Sequence, residues 1–420
     1  MKRYDSYKDS GVKWIGEIPS HWKVMKIKYI FEERSEKGFP NEPVLCSTQK
    51  YGVIPQSMYE NRVVVVNKGL DGLKLVRKGD FVISLRSFQG GIEYAHYQGI
   101  ISAAYTILAL NMGINADYMK YLLKSYDFIQ LLQTCVTGIR EGQNINYALL
   151  RKNYIALPSL AEQRAIVSFL DTELGKIDTY MDKEQQLIER LKELKQSLIA
   201  RAVTHGIDPN VKMKPSGINW IGEIPEHWEV KRLGSHFIEN RHINSELTET
   251  EAYKFNYGSL IRKDIDVNLK EVEDIYRKYT LLNKNDIVIN GLNLNYDFVS
   301  QRVAKAETKG IITSAYLVLT PRKGVDVNYF CYLFKAMDSQ KLFHGMGSGI
   351  RLTLSFEDLK SQLLPIPPLS EQRAIVDYLQ DKTSKIDKLI TEKTRELEYM
   401  KELRQRIISD AVTGKIDVRS

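Results

Sequence analysis

Apolar residues recur at three- and four-residue spacing through residues 160–206. Ile177, Met181, Ile188, Leu191, Leu194 and Leu198 carry the pattern, with Glu and Lys filling the positions between. That period lays them on one stripe of a helix. Ser159 and Glu162 have the S-x-x-E spacing of a capping box, and Gly206 is the residue type that best ends a helix. Gly175 is expected to break or kink the run, leaving a long helix of about 29 residues, roughly 43 Å at 1.5 Å per residue. A narrow stripe on so long a helix needs a partner. Residues 369–414 supply one, with Leu397, Met400, Leu403 and Ile407 on the stripe. The hexapeptide 162–167 returns unchanged at 371–376, an offset of 209. The capping box does not return, because Pro368 stands where Ser159 stood.

Shorter periods fill the rest. Residues 26–156 contain β-like runs at 63–66, 80–85 and 104–110, punctuated by glycines. A helical pattern follows over 117–135, with Tyr118, Leu122, Tyr126, Ile129 and Leu132 on a common face. Residues 231–364 keep this skeleton. Lys78-Gly79-Asp80 becomes Lys284-Asn285-Asp286, Gly99-Ile100-Ile101 becomes Gly310-Ile311-Ile312, and Gly138-Ile139-Arg140 becomes Gly349-Ile350-Arg351. The tyrosine-rich helix recurs over 329–343. Residues 84–97, by contrast, have no likeness to 290–302. Each half also opens on a lead-in: residues 10–24 return at 216–230 with eleven of fifteen positions identical. Trp14, Trp22, Trp220 and Trp228, the only tryptophans, all lie there. A packed lead-in that docks each half on its helix is the reading; base stacking is the alternative.

The whole chain is therefore a duplication. The fold class expected is α/β: two similar recognition domains of mixed α/β structure with short strands, separated by two long antiparallel coiled-coil helices in a pseudo-two-fold repeat. The division is 1–156, a first domain with its lead-in; 157–208, a central helix; 209–365, a second domain with its lead-in; and 366–420, a C-terminal helix. Two copies of one frame with diverged loops point to two different recognition events, since loops carry specificity.

Composition narrows the class of function. At 420 residues and 43% hydrophobic, the chain has room for real cores. No apolar run approaches the roughly 18 residues of a membrane span, and the N-terminus has no apolar signal region. A soluble, cytoplasmic protein is expected. Cys46, Cys135 and Cys331 are scattered without metal or redox spacing. A net charge of +8 points weakly to an anionic partner, nucleic acid first. Phosphate-loop, dinucleotide and amino-methyltransferase motifs are absent from the sequence. The glycine-rich stretch 345–349 follows a helix, lacks a phosphate-loop lysine and reads as a turn. No catalytic residue and no metal site is assigned.

The doubled G-x-x-W-I-G-x-I-P-x-H-W lead-in, L-x-E-Q-R-A-I-V helix start and K-I-D helix resemble the specificity subunit of type I restriction–modification enzymes, over nearly the whole chain. The resemblance implies two target recognition domains, one for each half of a split, asymmetric DNA target. It implies an antiparallel helical spacer and a subunit without enzymatic activity. It further implies a scaffold for two methyltransferase and two restriction subunits. No cofactor is expected on this chain; S-adenosylmethionine, ATP and Mg2+ belong to the partners. A coiled-coil protein adaptor and an orphan regulatory DNA-binding protein are the alternatives. Candidate DNA contacts in the first domain are Lys50, Tyr51, Arg86, Ser87, Gln89, Arg140, Gln143 and Asn144. In the second they are Tyr257, Arg262, Lys263, Asn290, Asn293, Asn295 and Arg351. Arginine suits guanine, and Asn or Gln suits adenine, in the major groove. Ile188, Leu191, Leu194, Leu198, Leu397, Met400, Leu403 and Ile407 are assigned to coiled-coil packing.

Overall fold

A computed structural model describes residues 2–59, 69–85, 87–111, 113–137, 144–263, 269–298, 301–347 and 352–419. The β-like run at 63–66 lies outside the described residues. The chain forms two compact units, Met1–Gln185 with Arg395–Ser420, and Gln186–Thr394. The first is made of two segments and the second of one, and each takes part of both long helices.

In the first unit a four-stranded antiparallel sheet has the order Phe31–Arg34, Thr106–Leu110, Phe81–Ile83, Glu93–Tyr94. The second unit repeats it with Phe237–Glu239, Leu317–Pro321, Ile287–Ile289 and Val303–Lys305. The central strands are buried on both faces, which is why they read as short unbroken apolar runs rather than alternating ones. A hairpin flanks the edge strand in each unit: Leu45–Thr48 with Gly52–Pro55, and Tyr253–Asn256 with Ser259–Arg262. The Asp of the shared Lys-x-Asp motif builds the turn before the central strand. Asp80 accepts from Arg77 N and Arg34 Nη1, each at 2.8 Å. Asp286 accepts from Asn283 N at 2.8 Å and Thr320 Oγ1 at 2.7 Å. The residue before each Asp has positive φ, +98° at Gly79 and +74° at Asn285, and Asn is the side chain that best tolerates replacing glycine there.

The lead-ins close each unit. Strand Lys23–Lys26 pairs with Tyr154–Leu157, and Glu229–Arg232 with Leu363–Ile366. Each partner strand runs straight into a long helix. Trp22 and Trp228 are fully buried in the two main cores. Burial removes both from base stacking; docking is their role.

The first long helix is one element of 46 residues, Leu160–His205, and the second one of 44, Leu369–Val412. Gly175 therefore does not break the helix. A mid-helix glycine costs only about 1 kcal/mol relative to alanine, and packing along the rest of the helix offsets that. The capping box is also only half formed. Ser159 Oγ accepts from Glu162 N at 3.3 Å, but the Glu162 carboxylate turns away. It accepts from Trp22 Nε1 at 3.0 Å and lies 2.9 Å from His21 Nε2. His21 and His227 thus hold lead-in to helix, the latter 2.7 Å from Glu371. The following Gln does the same for the next element. Gln163 Oε1 accepts from Asn115 N at 2.8 Å, and Gln372 Oε1 from Asp326 N at 2.9 Å, each acceptor reaching the N-cap of a helix.

Within the first unit the helices run antiparallel, with Arg404 Nε 3.0 Å from Asp178 and Tyr180 Oη donating to Glu396 at 2.9 Å. Ile166, Leu170, Leu174 and Ile177 share a core with Ile407, Ile408, Ala411 and Val412. In the second unit Lys195 meets Asp387 at 2.6 Å, and Ile199, Ala202 and Val203 share a core with Ile375, Val376 and Leu379. Ile188, Leu397 and Ile407 are buried, and Leu191, Leu198, Met400 and Leu403 half-buried. Leu194 is 50% exposed, a correction to its place on the stripe. Ile199 takes the buried position one residue beyond Leu198.

The helix expected over 117–135 is two helices, Ala116–Leu122 and Tyr126–Thr134. Ser125 makes the break. Its hydroxyl donates to Leu122 O at 2.8 Å, and its own backbone is extended at the N-cap position. Tyr126 is consequently exposed, and Phe128, Leu131 and Leu132 are the buried face. The second unit keeps one helix, Val327–Ser339.

Candidate nucleic-acid interface

The diverged stretches lie at the same place in both frames: between the central strand and the edge strand, beside the hairpin tip. In the first unit this connection contains a helical turn, Ser87–Gly90. Gly90 sits where any Cβ would come within 2.7 Å of the Gln49 side chain, so the turn is pressed against the hairpin tip. The same turn lies against strand Asn144–Ile145. Lys50, Tyr51, Gln89 and Asn144 are thereby brought to neighbouring ground, and all four are exposed. Lys50 Nζ stands 4.9 Å from the Tyr51 ring centroid, a cation–π contact at the tip. Gly52, at φ +71°, has no room for a Cβ, which would lie 2.6 Å from Tyr94 O; the glycine lets the hairpin reach the edge strand.

Lys124 locks this junction. Its Nζ lies 2.6 Å from Glu93 Oε2 and donates to Gln49 O at 2.9 Å. Burial pushes the Glu93 carboxyl up to about 7, with Lys124 pulling the other way. Ser87 is a correction: it is buried, its Oγ accepting from Ser84 N at 2.9 Å, so it builds the turn and presents nothing. Arg86, Arg140 and Gln143 lie outside the described residues.

In the second unit Tyr257 stands at the hairpin tip, 71% exposed, at φ +42°. The next residue, Gly258 at φ +76°, packs where a Cβ would sit 2.8 Å from Gln301 Oε1. The same Tyr-Gly dipeptide thus marks both tips, although this loop is one residue shorter. Arg262 pairs with Glu251 at 2.8 Å. Lys263 donates to Tyr279 Oη at 2.9 Å. Both charges are already engaged inside the unit. Asn293 is exposed at φ +53°. Asn290 and Asn295 are not presented in the same way. Asn290 Oδ1 accepts from Leu292 N at 3.2 Å, and Asn295 Oδ1 is buried. Arg351 lies outside the described residues.

Sequence reasoning missed three residues here. Tyr296 is 80% exposed, and Phe298 stacks on His344 at 4.7 Å and 19°. Arg302 is fully buried beneath them. An exposed aromatic in a polar loop has no periodicity to announce it, and an arginine reads as surface until its acceptors are seen. Among the described residues no group of His, Cys, Asp and Glu is placed to hold a metal ion, and no helix is long and apolar enough to cross a membrane.

The chain is 24% identical over 436 residues to the type I restriction enzyme MjaVIII specificity subunit of Methanocaldococcus jannaschii, covering 96% of this chain and 95% of that protein. It is 24% identical over 399 residues to the EcoBI specificity subunit of Escherichia coli, covering 83% and 81%. Its fold is similar to that of a chain in a solved type I R-M system, with a TM-score of 0.69 at 16% identity over 95% of this chain and 99% of that one. Specificity subunits are the non-catalytic members of these enzymes. The type I restriction modification DNA specificity domain matches twice, at residues 19–191 and 225–399, and the chain belongs to that family.

Proposed function

We propose that this chain binds double-stranded DNA as the specificity subunit of a type I restriction–modification complex and reads a bipartite, asymmetric target, one half with each unit. The observation that carries this reading is the repeated frame with two unlike connections at one place: a helical turn at Ser87–Gly90 and an irregular loop at 290–298. A frame kept twice serves what the half-sites share, and a connection changed between copies serves what they do not. The long helices offer a scaffold to two methyltransferase and two restriction subunits. S-adenosylmethionine, ATP and Mg2+ are used by those partners, in the cytoplasm.

The test is methylome sequencing of a host that expresses this chain with its methyltransferase subunits. A modified motif of two different short halves around a fixed gap is expected. Modification without sequence preference, or a single uninterrupted motif, would overturn the reading. Absence of any gel shift on mixed duplex DNA, with partners present, would favour a protein-only adaptor.

A further inference from the structure

The loop 290–298 is built around one side chain. Arg302 is fully buried, and its guanidinium donates to Asn290 O at 3.0 Å, Leu292 O at 2.8 Å and Asp297 O at 2.7 Å. Its own backbone N donates to the buried Asp338 at 2.7 Å, which anchors it to the helix Val327–Ser339. The loop's two legs are thus tied to one rigid, planar donor. Further ties fix its top. Tyr296 N and Asp297 N both donate to Asn293 O at 3.2 Å, and Leu354 N donates to Gly291 O at 2.9 Å. His344 Nε2 lies 3.0 Å from Asp297 O while its ring carries Phe298.

This much internal order surrounds a side chain that holds nothing among the described residues. Tyr296 projects with 80% of its surface in water, the most exposed large hydrophobic residue among those described. The carbonyls meet both terminal nitrogens of the guanidinium but not its Nε, so its burial is costly, and a loop with no external task gains nothing from such a frame. Rigid presentation of an aromatic residue is how binding surfaces limit the entropy lost on contact. Among the described residues the first unit has no counterpart. At the same place it has a helical turn and the buried Glu93 paired with the half-buried Lys124 instead.

We propose that the 290–298 loop is the reading head for one half-site, with Tyr296 as the residue that contacts base edges and Arg302 as the positioning residue that sets its placement. The ring offers an apolar face suited to a thymine methyl group in the major groove. This rests on the reading of the chain as a DNA specificity subunit. Lysine at 302 keeps the charge but not the fork, and a single ammonium cannot span carbonyls at 290, 292 and 297.

The experiment compares the full-length chain with its Y296A and R302K variants, each expressed with the methyltransferase subunits, by methylome sequencing. Both variants are expected to relax or change one half of the motif, the same half in each, with modification of the wild-type half falling about tenfold or more. The other half stays as it was. Wild-type motif and efficiency in Y296A would overturn the proposal, even if R302K fails to fold. Equal loss in both halves would make the loop a structural element only. A wild-type chain that gives no two-part motif would instead sink the reading of the chain as a specificity subunit, and this proposal with it.

Discussion

Glu162 joins two elements with one carboxylate: the lead-in, through Trp22 and His21, and the first long helix on which it stands. It is buried, so removing it leaves the Trp22 N–H without an acceptor. Glu162→Ala should destabilise the first unit by about 1–3 kcal/mol, the usual cost of an orphaned buried donor. Its counterpart is a built-in control. Glu371 meets His227, but Trp228 Nε1 has no hydrogen-bond partner among the described residues. Glu371→Ala should therefore cost less, and denaturant unfolding of both variants measures the difference. Equal losses would mean the Trp22 bond is not what makes the junction. Glu93 supplies a second residue-scale test. Burial raises its carboxyl from the ordinary 4.5 to about 7. A carboxyl raised on folding favours the native state while protonated. Its contribution is full below pH 4.5 and is lost as pH rises through about 7. Glu93→Gln should flatten that loss, so the variant gains on wild type between pH 5 and pH 8 in chemical denaturation. Parallel curves would show that Glu93 does not titrate across this window. The Glu and Gln of the repeated hexapeptide were legible as a helix start, but not as the docking pair, because their partners lie about 50 to 140 residues away in the chain.

Element lengths and types followed from the hydrophobic period wherever packing reinforced it, and departed from it where one polar contact decided. The long helices are legible because an apolar stripe with Glu and Lys elsewhere has no other stable arrangement. Gly175 misled, since its penalty of about 1 kcal/mol is small beside the packing of the whole element. Nothing lies within 4 Å of a Cβ at Gly175, and its φ is not left-handed. Gly175→Ala should accordingly stabilise the protein by about 0.5–1 kcal/mol through the loss of unfolded-state freedom. A lower melting temperature would show that the glycine is needed for something the helix geometry does not reveal. Leu194 and Ile188 divide the stripe in the same way. Ile188→Ala should cost roughly 2–5 kcal/mol as a buried truncation, whereas Leu194→Ala, at a half-exposed site, should cost far less. The interface was less legible than the scaffold. Lys50, Tyr51, Gln89 and Asn144 do gather at one place, but Ser87 and Asn290 spend their side chains on building loops. Composition alone does not separate a polar residue that faces a partner from one that satisfies its own backbone.

The duplication has its largest consequence for the molecule as a whole. In the first unit the start of the first long helix is covered by Ile407, Ile408, Ala411 and Val412 of the second. In the second unit the start of the second long helix is covered by Ile199, Ala202 and Val203 of the first. These covers are equivalents. Leu198, Ile199, Ala202 and Val203 stand 209 residues before Ile407, Ile408, Ala411 and Val412. A half-length chain of residues 1–208 keeps one lead-in, one four-stranded sheet, one hairpin and one long helix, and loses its helical cover with the bonds that Gly414 and Asp417 make to Tyr7 and Lys2. Alone it would expose Ile166, Leu170, Leu174 and Ile177, at about 1.5–3 kcal/mol for each side chain that burial would otherwise stabilise. A second copy carries the replacement at 198–203 of its own helix, running antiparallel as the native partner does. Two such copies bury both faces at once, and an isologous pair of this kind has two-fold symmetry. The half-length protein should therefore sediment as a dimer. With methyltransferase subunits it should modify a palindrome made of one half-site twice. Asn or Glu at both Leu170 and Leu174 should return it to a monomer or unfold it. A well-folded monomer of residues 1–208, or a modified target that remains asymmetric, would show that the two halves are not equivalent units.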